Sequence, residues 1–583
     1  MRRSTRVAVL VTCFGLCATA CTASEDRSGS GASARAAAQP SASTPDTALT
    51  LIADTDPAAA AISTSRALYD SSEVVVLVDP VEAAALTLGA SAAVALGVPL
   101  FVTTPSAASA DPSVSPTAAV PDASPPHAPD TDDPLVIEFE RLGVDSVLVI
   151  GELAAQRVPS LGDLDAVAVP AQPSAVAAAV GHELGDGVRV ESEDLADAFA
   201  ALDPGTPLAL VPADLPAAEQ DPAASPDGPR LPEVIRPEPV ISTLVLATAT
   251  PESLPGIATA RAAGVDVQIV APEQVDPRSS SEVITTLSQV KPEAVIALGA
   301  GYGTAQGLEW KLTTALTGTE LPGGGQLLFR ERMFVALYGY TEGGTLGVLG
   351  EQDAAGSVQR AIETAAGYDD LVPSRVVPAF EIIATVASEF PGVDGNYSFE
   401  SSIEQLQPWV DAAAAAGVYV VLDLQPGRTD FLTQAQAYEP LLRLPYVGLA
   451  MDPEWRLLPN QVHLRQIGSV SIEEVNAVVT WLADLTRANA LPQKLLLLHQ
   501  FLPQMIQNRE LLDTSREELA VLIHVDGYGS PGDKQTTWQT IRDAAPPNVF
   551  WGWKNFIDED LPLLTPEQTI AQAVPTPVFI SYQ

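Results

Sequence analysis

The stretch YVGLAMDPEW, from Tyr446 to Trp455, carries an apolar run up to two acids, Asp452 and Glu454. Read as a buried strand, it alternates its side chains between faces, so residues two apart point the same way. The two carboxyls are then expected side by side, about 6–7 Å apart along the strand. Such a pair suits glycosidic cleavage, in which one protonated carboxyl gives its proton to the leaving oxygen and a second group handles the positive charge on the ring. A neighbouring Asp carboxylate raises the pKa of Glu454, which makes Glu454 the expected proton donor and Asp452 the group that orients or tunes it. The plain structural alternative is that Asp452-Pro453 starts a loop and that Glu454 pairs with Arg456.

Other reactive side chains end similar runs. Asp423 closes VYVVLDL, His499 and Gln500 close KLLLLHQ, and His524 and Asp526 close LAVLIHVD. Trp551, Trp553 and Lys554 lie in NVFWGWK, Tyr338 and Tyr340 in MFVALYGY, and Glu381 in RVVPAFEII. Asp526 or Asp423 is the expected second carboxyl. Trp551 and Trp553, two apart, are expected to face one side as platforms for sugar rings, with core packing of large aromatics as the alternative. Tyr340, His499, His524, Lys554 and Glu381 complete the expected substrate-binding set. His499 and the His524-x-Asp526 pair offer metal ligands, but no H-x-H or H-E-x-x-H spacing supports zinc. No metal and no cofactor is expected. The Gly-rich loop at residues 527–532 lacks the Lys-Ser/Thr pattern of a phosphate-binding loop.

A scaffold must bring these ends together. Eight strand candidates run from MFVALYGY to PVFISY, separated by helical patterns at 355–366, 403–416, 471–488, 534–545 and 566–573. Ser471 with Glu474 reads as a capping box, and Thr565-Pro566 places proline at a first helical turn. Eight strands alternating with helices over about 250 residues predict a (β/α)8 TIM-like barrel across 327–583, whose strand C-termini line the site. Near-continuous apolar runs fit strands covered on both faces. Pro378 counts against the second strand, because proline gives no ladder donor. The chain ends just after the eighth strand, before any final helix. Asp-x-Glu at the end of a fourth strand resembles the D-x-x-D-x-D-x-E pattern of chitinase-type glycoside hydrolases. Here only Asp452 and Glu454 match; Val447 and Ala450 stand at the earlier acidic positions.

Residues 48–320 also alternate short apolar strands with helices, which predicts a parallel α/β module. Two Pro-rich stretches, 105–134 and 214–239, read as disordered or loosely packed loops. The segment with Asp79, Ala83 to Ala85, Gly97, Pro99, Leu100, Thr103, Leu142, Gly143 and Gly151 resembles the cell wall-binding repeat 2 family. A weaker copy runs from Ser242 through Gly301, and a remnant spans Val188 to Ala213. The first copy departs from the family at Pro80-Val81-Glu82, where Asp-Ala-Leu is usual, and at Gly151-Glu152, where Gly-Gly is usual. The resemblance implies attachment to cell-wall polymer.

At the start, Arg2, Arg3 and Arg6 precede an apolar run from Val7 to Ala20, which is too short to cross a bilayer as a mature helix. Ala18-Thr19-Ala20-Cys21 resembles a bacterial lipobox. Residues 1–21 are thus expected to be a lipoprotein signal peptide, Cys21 the lipidated residue and 22–47 a flexible tether, the alternative being an ordinary signal peptide cut near Ala20. The only cysteines are Cys13, Cys17 and Cys21, so the body has no disulfide framework and no thiolate metal site. The formal net charge of −43 repels nucleic-acid phosphates, and no nucleic-acid partner is expected. The sequence supports two readings for a protein lipid-anchored on the extracellular face of the membrane. One is a glycoside hydrolase-like enzyme acting on envelope or extracellular glycans. The other is a non-catalytic polysaccharide-binding or scaffolding protein.

Overall fold

The eight apolar runs of the C-terminal half close on themselves. The computed structural model describes residues 37–103, 132–185, 187–215, 229–543 and 545–583. Its barrel strands are β1 (Arg332–Gly339), β2 (Arg375–Ala387), β3 (Tyr419–Leu424), β4 (Val447–Met451), β5 (Lys494–Gln500), β6 (Leu519–Val525), β7 (Phe550–Asn555) and β8 (Phe579–Tyr582). Each strand pairs in parallel with the next, and β1 pairs with β8, so the barrel has no gap. Pro378 fits because the ladder between β2 and β3 starts at Ala379, one residue later.

Strand parity decides what fills the interior. Phe334 and Ala336 of β1, Val377 and Ala379 of β2, Tyr419 and Val421 of β3, and Leu495 and Leu497 of β5 form the inner apolar cluster with Ala520, Leu522 and Phe579. The intervening residues pack outward against helices such as Ala354–Ala366, Ile403–Ala415 and Ile472–Ala488. Two residues further along each inward row, apolar side chains give way to polar ones: Tyr338, Glu381, Asp423, Asp452, His499, His524, Lys554 and Ser581. The barrel is therefore apolar below and polar in its top inward layer, at the strand C-termini where such folds place their sites.

Helix starts follow local signals. Ser402 with Gln405, and Thr565 with Gln568, form reciprocal capping boxes. At Ser471 the expected box is only half made. The Ser471 hydroxyl accepts from the Glu474 backbone, but the Glu474 carboxylate turns instead to Arg456 (2.9 Å) and the Phe431 amide (2.9 Å). A guanidinium offers a charge-assisted bond, which is stronger than a return bond to a backbone N–H.

The N-terminal module contains two four-stranded parallel sheets. The first has the order Leu100–Val102, Val74–Val78, Ser146–Ile150, Asp165–Val169. The second repeats that order with Asp266–Val270, Thr243–Thr248 and Ala294–Leu298, and its fourth strand is Leu49–Ile52 from the chain's start. A third, reduced unit is the parallel pair Val188–Val190 and Leu210–Pro212, in the stretch read as a remnant. Helices Pro57–Leu68, Ala83–Leu96 and Leu254–Ala262 pack among these units. The units are stitched by one device used twice: Thr259 Oγ1 accepts from the Leu100 amide (3.1 Å), and Ser91 Oγ accepts from the Leu210 amide (3.0 Å). Each buried hydroxyl thus satisfies the first donor of another unit's strand.

Two expectations change here. Residues 37–47, read as tether, belong to the fold: Ala38 bridges Val234, and Ser41–Ala42 pairs with Tyr69–Ser71. Residues 229–239 of the second Pro-rich stretch are also packed. Arg236 donates to the carbonyls of Val94 and Ala95 and to Ala262, at the C-terminal ends of two helices. Those carbonyls have no partner within their own helix, which is why a cation settles there. The signal segment, Cys21, most of the first Pro-rich stretch and residues 216–228 of the second lie outside the described residues. Among the described residues no helix is long and apolar enough to cross a membrane.

The module meets the barrel at the strand N-termini. Arg278 donates to the Glu517 carbonyl (3.2 Å), Lys311 pairs with Glu517, and the Gln326 carbonyl accepts from Gln493 (2.8 Å) just before β5. The polar mouth is at the other end.

Candidate functional site

His499 organises the polar layer. Its Nε2 lies 2.7 Å from Glu381 Oε1, its Nδ1 lies 3.1 Å from Asp526 Oδ2, and Asp423 Oδ1 stands 3.7 Å from Nε2. Burial disfavours the imidazolium, but the Glu381 charge and the hydrogen bonds to Asp526 and Glu381 outweigh it, and the pKa is pushed well above the usual histidine value. Burial, reinforced by the charge of His499, drives His524 well below that value, so the two histidines carry opposite protonation states. His524 Nε2 meets Ser581 Oγ at 3.2 Å. Asp423 is fully buried and takes a hydrogen bond from Tyr338 (3.0 Å), whose hydroxyl in turn accepts from Gln425 (3.3 Å).

Above this layer a cavity of about 430 Å³ opens, with Asp452, Glu454, Asp526, Lys554, Tyr338 and Gln425 among its walls. Trp455, Phe501, Tyr528 and Phe556 add aromatic surface to it. β4 ends at Met451, because Pro453 fixes its own φ and has no N–H to continue the ladder. Asp452 and Glu454 are therefore not strand neighbours. Asp452 caps a short 3-10 turn, Pro453–Trp455, by accepting from the Glu454 amide at 3.1 Å. The turn brings both carboxyls to the cavity by a different route from the one the strand spacing implied. Arg456 pairs with Glu474, which leaves Glu454 clear of it.

The cavity carboxyls sit in opposed environments. Burial, helped by the charge of Asp526, pushes Glu454 up to about 7. Burial also takes Asp452 well above the usual carboxylate range, and lifts Asp423 to about 6 despite the opposing pull of His499. Asp526 goes the other way: burial works against ionisation, but the hydrogen bond and charge of His499 hold it below the usual range. Lys554 is 3% exposed, makes no ion pair among the described residues, and places Nζ 3.6 Å from the centre of the Tyr338 ring. Its ammonium supplies a positive charge to the cavity wall.

Glu454, Asp452, Asp526 and Lys554 thus share one cavity, with Asp423, Glu381, His499 and His524 directly beneath it. Trp551 and Trp553 do not join them. Gly552 and Lys554 occupy the inward positions of β7: a Cβ on Gly552 would lie 2.6 Å from His524. The two indoles therefore point outward, where Trp538 of helix Pro531–Arg542 packs against both at 5.9 and 5.4 Å. Tyr340 is half-buried on the first loop and forms no part of the cavity wall. Sequence reasoning missed Gln425, Trp455 and Phe556. Trp455 lay inside the motif it started from, directly after Glu454.

Glu381, His499 and His524 offer ligand atoms within 4.8 Å of one another, which makes them the group able to hold a metal ion among the described residues. Both nitrogens of His499 already face carboxylates, and hydrogen bonding accounts for its orientation. No family model matches the chain, and no curated protein does. Among solved structures the chain is similar to Cwp6 from Clostridium difficile, at 13% identity and a TM-score of 0.30. The similarity covers 59% of this chain and spans 64% of that one, and a likeness this slight supports no functional argument.

Proposed function

We propose that the barrel hydrolyses glycosidic bonds of an envelope or extracellular glycan, with Glu454 as proton donor and Asp526 as the ionised partner. One observation carries this reading: two carboxyls lining one cavity are displaced in opposite directions, Glu454 up to about 7 and Asp526 below the usual range. Such a split assigns the acid and the base of a site. At neutral pH a substantial fraction of Glu454 retains its proton while Asp526 carries a full charge.

In the proposed reaction the bond between the anomeric carbon and the bridging oxygen breaks, and Glu454 gives that oxygen its proton. Asp526 stabilises the positive ring carbon. A water then adds its hydroxyl to that carbon, and its remaining proton restores a carboxyl. Asp452 fixes the Glu454 backbone through its 3.1 Å cap and so positions the donor. Trp455, Tyr528 and Phe556 offer ring faces to the sugar, while Lys554 and Gln425 meet its polar edge. The likeness of the N-terminal motifs to cell wall-binding repeats supports a location at the cell surface, with Cys21 as the proposed lipid anchor.

The test is product release from purified peptidoglycan and from wall polysaccharide, comparing the wild type with Glu454→Gln. The proposal expects release by the wild type and its loss in the variant with binding retained. No release by either protein would leave a polymer-binding role in its place.

A further inference from the structure

Glu454 and Trp455 line a second cavity as well as the first. It measures about 380 Å³ and is completed by His463, Leu464, Arg465, Gln466 and Ile467, from the loop between β4 and helix Ile472–Ala488. The loop is pinned rather than loosely draped. The Gly468 amide donates to the Glu454 carbonyl (2.7 Å), His463 Nε2 meets the Tyr397 carbonyl (2.9 Å), and Arg428 donates to the Gln461 carbonyl (2.8 Å). Gly468 is required for the fold-back, because a Cβ there would lie 2.4 Å from the carbonyl oxygens of both Pro453 and Glu454. Glu454 therefore stands on a saddle between two hollows.

The second hollow has an amphipathic lining. Trp455, Leu464 and Ile467 are apolar, Leu464 being 83% exposed, while His463 and Gln466 bring hydrogen-bonding groups. Burial lowers the pKa of His463, and with Nε2 held by the Tyr397 carbonyl the ring keeps Nδ1 for a ligand. A pyranose has the same division, with an apolar face and a hydroxylated edge. Arg465 is the cation on this wall and has no ion pair or hydrogen bond among the described residues. In a chain of net charge −43 an unpaired guanidinium beside a hollow is poised for an anion, and its planar fork matches a carboxylate.

We infer that the two hollows are adjacent subsites of one cleft crossing Glu454, and that the unit held beyond Trp455 is a carboxylate-bearing sugar. The inference rests on the reading of Glu454 as proton donor and adds to it. A cleft with room on both sides of the donor binds within a chain rather than at its tip, and Arg465 selects acidic glycan over neutral glycan.

Calorimetry on the Glu454→Gln protein separates this from the hydrolysis itself. The probes are peptide-free peptidoglycan strands, whose lactyl groups carry carboxylates, at two and six sugar units, and neutral N-acetylglucosamine oligomers of the same lengths. The six-unit carboxylated strand is expected to bind roughly tenfold or more tightly than either the two-unit strand or the neutral six-unit oligomer. Adding Arg465→Gln should erase the preference for the carboxylated strand. Adding Ile467→Asp should erase the gain with length. Both residues are exposed, so neither change threatens folding. Equal binding of two and six units, an unchanged preference in Arg465→Gln, or no binding of any probe would overturn the inference. Cleavage of short neutral substrates without length dependence would defeat it while leaving the hydrolytic reading intact. Tight binding of the long acidic strand with no product from the wild type would do the reverse.

Discussion

Replacing His499 by leucine tests the electrostatic core of the barrel. The imidazolium lies between Glu381 at 2.7 Å and Asp526 at 3.1 Å, with Asp423 at 3.7 Å, and Glu381 and Asp423 are fully buried. Leucine fills most of the volume but leaves those carboxyls without their shared cation. Removing one partner of a buried ion pair costs about 3–5 kcal/mol, because the remaining charge stays desolvated. At about 2–4 °C per kcal/mol for a domain of this size, the barrel transition should fall by roughly 6–20 °C. The loss must also depend on pH. The folded pKa of His499 is raised, so its stabilisation is fully present below the unfolded value of about 6.5 and is lost as pH rises through the folded value. Scanning calorimetry of both proteins from pH 5 upward should show the gap between their melting temperatures narrowing towards alkaline pH. A variant melting within about 2 °C of wild type at pH 6, or a gap that widens with pH, would refute the assignment of a buried imidazolium.

Glu454→Gln should lower turnover by about 10²–10⁴ while leaving ligand affinity within a few-fold, as measured by product release and calorimetry side by side. The rate of the wild type should fall on the alkaline side as pH passes about 7, the value to which Glu454 is pushed, and a profile flat to pH 9 would contradict a protonated donor. Trp553→Ala should cost about 3–5 kcal/mol of barrel stability through loss of its packing on Trp538, yet leave the affinity of the folded protein for glycan unchanged; Trp455→Ala should show the opposite pattern. Gly89→Ala should destabilise the N-terminal module by about 1–3 kcal/mol, since the new methyl would lie 2.5 Å from Val78 and 3.2 Å from Leu100, both fully buried. That loss should appear as a lowered module transition, with the barrel transition in place.

The eight barrel strands were legible because most of their residues are covered on both faces and so read as near-continuous apolar runs. Their polar ends were legible for the same reason: Asp423, His499 and His524 interrupt runs that are otherwise apolar. Direction was harder to read. On β7 either parity puts aromatics somewhere plausible, and only Gly552, squeezed against His524, reveals that Trp551 and Trp553 face the helices. Asp452 and Glu454 were placed on a strand because their spacing allows it, whereas Pro453 ends the strand and a capped turn takes over. The loop at 456–469 carries no periodicity, and its role as a wall comes from long-range backbone bonds that no local pattern announces. Residues 37–47 read as tether because they are small and polar, yet they pair with strands and loops far along the chain.

The strand Leu49–Ile52 completes the second sheet from the chain's own beginning, bonded along one side to Val295–Leu298. A tug applied ahead of Ala38 therefore reaches the Ala38–Val234 bridge first, then Ser41–Ala42, then this outermost strand. Peeling it away would bare a row of backbone donors and acceptors in the module, while the closed ring behind it, having no border to unzip, keeps its shape. Mechanical load on the leading end is thus taken up in the module, which meets the barrel at the end opposite the acidic mouth.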